Sequence, residues 1–77
     1  MVRKIKGGKE VSDFQVSKRE MDVLTWVANG KRYEEIGELL NCKPNAVHQR
    51  MKRIMDKFGT NTSAGTVAVA LRNGIIA

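Results

Sequence analysis

Cysteine occurs once in the 77 residues, at Cys42, so the chain cannot close a disulfide on itself. That excludes the small secreted, disulfide-stapled domains and fits a reducing compartment; Cys42 reads as a small apolar packing residue. No apolar run approaches the ~18 residues of a membrane span, and the opening MVRKIKGGKE lacks the apolar stretch of a secretory signal. A soluble, cytoplasmic chain with no membrane partner is expected. The single histidine, His48, has no Cys or His partner at metal-ligand spacing and no acid or nucleophile beside it, so neither a metal site nor a catalytic site is expected, and no cofactor. Aromatic residues are few, and Trp26 and Tyr33 do not interleave with basic residues as single-strand stacking platforms do. They, like Met21, Met51 and Met55, read as packing residues. There is no internal repeat or low-complexity tract. A chain this short buries only about 60% of its unfolded surface, which leaves room for one helix-rich core and none for a deep enzymatic pocket.

What the chain does have is positive charge. Fourteen Lys and Arg against eight Asp and Glu give a net +6. Residues 43–57 hold Lys43, Arg50, Lys52, Arg53 and Lys57 against the one anion Asp56, a net of +4, whereas residues 31–42 hold Lys31 and Arg32 against Glu34, Glu35 and Glu38, a net of −1. Such a concentration in one segment suits a polyanion-binding element and also a solvated helix face. Residues 1–15 carry Arg3, Lys4, Lys6 and Lys9 around the Gly7-Gly8 pair without periodicity, and read as a flexible basic tail ahead of a domain spanning 16–77.

Four helices follow from caps and periodicity. Ser17 and Glu20 form a capping box, after which Val23, Leu24, Val27 and Ala28 recur at steps of three and four until Asn29-Gly30, predicting a helix over 18–28. Tyr33 to Leu40 predicts a two-turn helix with Ile36, Leu39 and Leu40 inward; Gly37 within it implies that another helix backbone passes close by, and Asn41 suits a left-handed turn. Pro44 suits the first turn of a third helix, whose stripe Val47, Met51, Ile54, Met55 and Phe58 ends at Gly59. Thr62 or Ser63 caps a fourth, expected to turn Ala64, Val67, Ala68 and Leu71 inward and to stop at Asn73-Gly74. The fold class is therefore all-α: a compact four-helix domain.

A short helix, a four-residue turn and a longer basic helix make up the helix-turn-helix plan, in which the second helix lies in the major groove of double-stranded DNA. With Val47, Met51, Ile54 and Phe58 inward, steps of 100° put Asn45, Gln49, Lys52 and Arg53 opposite and His48 on the flank. Asn and Gln match the adenine N6 and N7 edge, and Lys matches guanine O6 and N7. Asn45, His48, Gln49 and Lys52, in the first turns, are the candidate base contacts. Arg50, Arg53 and Lys57 are candidate phosphate contacts, completed by Ser17 and Lys43.

From Val16 onward the chain resembles the LuxR-type helix-turn-helix domain, also called GerE or FixJ/NarL-type. VSKREMDVLTWVANGK resembles the family's opening helix, EEIGELLNCK its scaffold helix and turn, VHQRMKRIMDKFGT its recognition helix and TVAVALRNGII its closing helix. Trp26, Gly30, Lys31 and Asn41-Cys42 look most like the quorum-sensing branch. The resemblance implies a transcription regulator that reads half of a two-fold operator, with His48, Gln49 and Lys52 in the groove. It also implies a homodimer through the fourth helix, where Thr66, Val69, Ala70 and Asn73 are expected to point away from the core and to form the contact.

Four positions depart from the family pattern: Lys43 replaces its usual Ser, Ala46 its usual Thr, Glu34 stands where a basic residue is common, and Arg50, in place of a frequent His, restores one phosphate contact. A helix cap and a phosphate contact are lost, and Glu34 is expected to face the DNA backbone unfavourably. These losses motivate an alternative: an anti-activator that forms a heterodimer with a LuxR-type regulator and binds DNA poorly itself. No receiver or ligand-binding segment precedes the helices in this sequence, which suits a free-standing regulator or an excised domain equally.

Overall fold

Ser17 and Glu20 start the first helix reciprocally. The Glu20 amide donates to Ser17 Oγ at 3.1 Å and the Ser17 amide to Glu20 Oε1 at 3.0 Å, satisfying two donors that a helix N-terminus otherwise leaves open. In the computed structural model, which describes residues 15–76, four α-helices follow in order: α1 Lys18–Ala28, α2 Tyr33–Leu40, α3 Pro44–Phe58 and α4 Ser63–Arg72. The tail expected over residues 1–15 lies outside the described residues except for Gln15. No helix among the described residues is long and apolar enough to cross a membrane.

Each connection has a local cause. Asn41 ends α2 in the left-handed region at φ 56°, and the Cys42 amide returns to Gly37 O at 2.7 Å. This closes the turn so tightly that a Cβ on Gly37 would lie 2.5 Å from Cys42 O. The close approach inferred for Gly37 is thus made by the chain's own turn rather than by another helix. Pro44 opens α3 behind Lys43, whose side chain makes no cap bond, and Gly59 closes it at φ 70°. Thr62 Oγ1 accepts the Gly65 amide at 3.0 Å and starts α4.

α3 packs against each of the other three helices and forms the centre of the fold. Its Val47, Met51, Ile54 and Phe58 are buried with Val23 and Leu24 of α1, Ile36 of α2 and Val69 and Ala70 of α4. Around this core, Val16, Trp26, Val27, Tyr33, Leu40, Cys42, Met55, Ile75 and Ile76 are half-buried. Ala28 and Leu39, expected inward, are exposed, Leu39 to 53%.

The largest correction concerns α4, which packs on the opposite face from the one expected. Thr66, Val69, Ala70 and Asn73, assigned to a dimer contact, are buried, while Ala64, Ala68 and Leu71 are exposed and Val67 is half-buried. Both sets have helical spacing, and both are small and mostly apolar, so periodicity did not separate them. What permits burial of the polar members is local satisfaction. Thr66 Oγ1 lies 2.7 Å from Thr62 O and 2.6 Å from Thr60 Oγ1, and the Asn73 side-chain amide donates to Val69 O at 2.8 Å. A hydroxyl and an amide bonded in this way lose little on leaving water. Four buried core residues cannot at the same time form an outward contact.

Candidate nucleic-acid interface

With its apolar stripe buried, α3 turns the rest of its circumference outward. Asn45, His48, Gln49, Lys52 and Arg53 are exposed, and Arg50 is half-buried on the flank. Lys43 is exposed at the N-cap. The first turns of α3 therefore present two amides, an imidazole and an ammonium on a rigid rod whose back is the core of the domain. These groups can donate and accept along base edges, and the guanidinium of Arg53 beside them can pair with phosphate. On α2 the exposed residues Glu34, Glu35 and Glu38 are anionic, so cationic potential is concentrated on α3.

His48 does not stand alone. Its ring lies edge-on to Tyr33, with centroids 4.3 Å apart and planes at 81°. Tyr33 Oη is 3.2 Å from Ser63 Oγ at the start of α4. Tyr33, read from the sequence only as a packing residue, thus joins α2, α3 and α4.

Lys57 is corrected out of the phosphate-facing set. Its Nζ lies 2.8 Å from Glu20 Oε1 and donates to Gln15 O at 2.7 Å, and the Glu20 side chain is only 7% exposed. The half-exposed ammonium of Lys57 is paired with Glu20 at the edge of the core, which reduces what it offers to a phosphate at that end of α3. Burial raises the carboxyl pKa of Glu20, but the bond and charge of Lys57 and the bonds from Ser17 outweigh it and hold the group below the ordinary value of 4.5. Sequence position carried a signal for this pair. Glu20 lies three and four residues before the inward Val23 and Leu24, and Lys57 lies three after the inward Ile54, so both border the core. Ser17 Oγ accepts the Glu20 amide and keeps its proton to donate; Ser17 is exposed at the start of α1.

Residues 15–70 match the family model described as bacterial regulatory proteins, luxR family. The chain is 35% identical over 65 residues to the transcriptional activator protein PhzR of Pseudomonas fluorescens, covering 84% of this chain and 27% of that protein. It is 37% identical over 60 residues to the uncharacterized transcriptional regulatory protein YxjL of Bacillus subtilis, covering 78% and 28%. To the transcriptional activator protein TraR of Rhizobium radiobacter it is 33% identical over 58 residues, covering 75% and 25%. The chain thus spans about a quarter of the length of these relatives. The family is one of transcription regulators, not of enzymes. With the match running from Gln15 through α1, α2 and α3 into α4, the chain belongs to the luxR family of bacterial regulatory proteins and carries that family's helix-turn-helix DNA-binding domain.

Proposed function

We propose that the domain binds double-stranded DNA sequence-specifically by inserting α3 into the major groove, and so regulates transcription in the bacterial cytoplasm. The observation that carries this reading is the division of α3 into a buried apolar stripe and an exposed amide and cationic face. Asn45, His48, Gln49 and Lys52 read base edges; Lys43, Arg50, Arg53 and Ser17 contact phosphates.

The dimer reading is kept for α4 but moved to its exposed strip, Ala64, Val67, Ala68 and Leu71, because the four residues first assigned to it are buried. Leu71, 48% exposed, is the apolar anchor of that strip. A second copy, related by a two-fold axis, matches small and apolar groups against themselves, as an isologous contact requires.

Fluorescence anisotropy on labelled duplex DNA over a series of salt concentrations tests the binding. Replacement of counterions at Z phosphates gives a logarithmic slope of about −0.9Z. Enrichment of a two-fold motif from random-sequence duplexes is the expected companion result. Absence of binding even at low salt would reject the reading and turn attention to pairing with another regulator of the family, for which the uncapped Lys43 and the exposed Glu34 speak.

A further inference from the structure

We propose that Tyr33 determines base preference without touching DNA, as the positioning residue that fixes the ring of His48. The inference rests on the reading of α3 as the groove-reading helix and assigns a role to a residue on α2.

The geometry is specific to these three side chains. His48 is exposed on the flank of α3, and no hydrogen bond among the described residues uses its ring nitrogens, which leaves both for a base edge. An exposed imidazole with two free torsions samples several orientations, and only some of them aim a nitrogen into the groove. Tyr33 removes that freedom, because its half-buried ring meets the imidazole edge-on at a centroid distance of 4.3 Å. Tyr33 itself is held at both ends. Its ring packs on the core, and its hydroxyl lies 3.2 Å from Ser63 Oγ at the first residue of α4. With its hydroxyl on Ser63 and its ring against the core, it acts through His48. A pre-oriented ring binds the correct base without the cost of ordering, so the benefit falls on the one base pair that His48 contacts.

The test starts from a pool of random-sequence duplexes. Selection with the unmodified chain yields a preferred duplex, and affinities are then measured for it and for each of its single base-pair replacements. His48→Ala is expected to flatten the preference at one base pair. Tyr33→Leu is expected to flatten the same base pair by about two- to tenfold, the contribution typical of an aromatic pair, with affinity for random duplexes unchanged. Tyr33→Phe keeps the ring and is expected to keep most of the preference. The double variant should be no flatter than His48→Ala alone. Ser63→Ala, which removes only the tether of the phenol, should weaken the same position more mildly and covers the case in which Tyr33→Leu fails to fold. In parallel, the His48 ring-proton shifts measured by NMR without DNA should move in Tyr33→Leu and stay in Tyr33→Phe.

A uniform loss over all duplexes in Tyr33→Leu, or full preference retained in both Tyr33→Leu and Ser63→Ala, would overturn the proposal. If the unmodified chain enriches no sequence, the groove-reading itself fails; the NMR shifts still report whether the Tyr33 ring lies against the His48 ring, and its absence there would overturn the positioning role independently.

Discussion

Replacing Lys57 by methionine keeps the aliphatic stem and removes the ammonium that neutralises Glu20. The Glu20 side chain is 7% exposed and keeps only its bond from the Ser17 amide and the capping geometry, so a carboxylate is left in a poorly hydrated place without its cation. Removing one partner of a fully buried pair costs about 3–5 kcal/mol. Here the Lys57 side chain is 38% exposed, so water screens the pair and partly replaces the lost partner. A cost of about 2 kcal/mol at neutral pH follows, which for a domain of this size lowers the thermal midpoint by roughly 10 °C.

The pH dependence gives this expectation a sign. The carboxyl of Glu20 is held below its ordinary 4.5 in the folded chain, burial being outweighed by Lys57 and Ser17. A depressed folded pKa means that the unfolded chain binds more protons, so the pair's contribution is fully present above the ordinary carboxylate value and is lost as pH falls through the folded one. In Lys57→Met burial acts against less opposition, the carboxyl titrates higher, and the deficit relative to the unmodified chain narrows as pH drops below 4.5. Urea melts followed by circular dichroism, at neutral pH and in the acid range, measure both effects. Replacing both groups with neutral ones, Glu20→Gln with Lys57→Met, should recover most of the loss. A Lys57→Met variant as stable as its parent at neutral pH, or a deficit independent of pH, would refute the reasoning.

Three further outcomes are expected. Gly37→Ala places a methyl 2.5 Å from the Cys42 carbonyl, which is backbone and cannot swing aside, so about 1–3 kcal/mol should be lost in the same melts. Lys52→Ala should relax sequence choice by about 1–3 kcal/mol at one base pair, while Arg53→Ala weakens all duplexes alike and reduces the salt slope by about 1 in anisotropy titrations; equal losses of Lys52→Ala on preferred and random duplexes would show that it does not read bases. Leu71→Glu, on the exposed strip of α4, should leave the melt unchanged and shift sedimentation toward the monomer, whereas Ala70→Glu, which buries a charge in the core, should unfold the domain.

Helix boundaries were legible in the sequence because each end carries its own chemistry: the Ser17 and Glu20 box, Pro44, the Thr62 cap, and left-handed residues at Gly30, Asn41, Gly59 and Gly74. These are local interactions, fixed within three or four residues. The buried stripe of α3 was legible for a related reason, since large apolar groups occupy one side of it and polar groups the other. α4 failed this test, because Thr66, Val69, Ala70 and Asn73 differ too little in polarity from Ala64, Val67, Ala68 and Leu71. The choice between those faces depends on side-chain bonds to Thr60, Thr62 and Val69 that no periodicity encodes.

The fates of the basic residues on α3 follow from phase rather than from residue type. Counting roughly 100° per residue from the buried stripe, Gln49 stands nearly opposite the core, Lys52 and Arg53 lie about 50° to either side of that point, and Arg50 and Lys57, seven residues apart, share one flank. On that flank a long side chain can reach back along the core edge. Lys57 does so and finds Glu20, whereas Arg50 is half-buried at the level of the first turns. His48 occupies the other flank and meets Tyr33 there. A charge count over residues 43–57 therefore counts Lys57 at full weight although it is paired, and the residues at the crest of the rod are Asn45, Gln49, Lys52 and Arg53, with His48 at its margin. Crest residues stand free of packing, so their substitution should change recognition with little effect on folding. On the flanks, Lys57 is tied to Glu20 of α1 and His48 to Tyr33 of α2, so substituting Lys57 should perturb stability first, whereas substituting His48 should remove a recognition contact and substituting Tyr33 should act through the ring it orients.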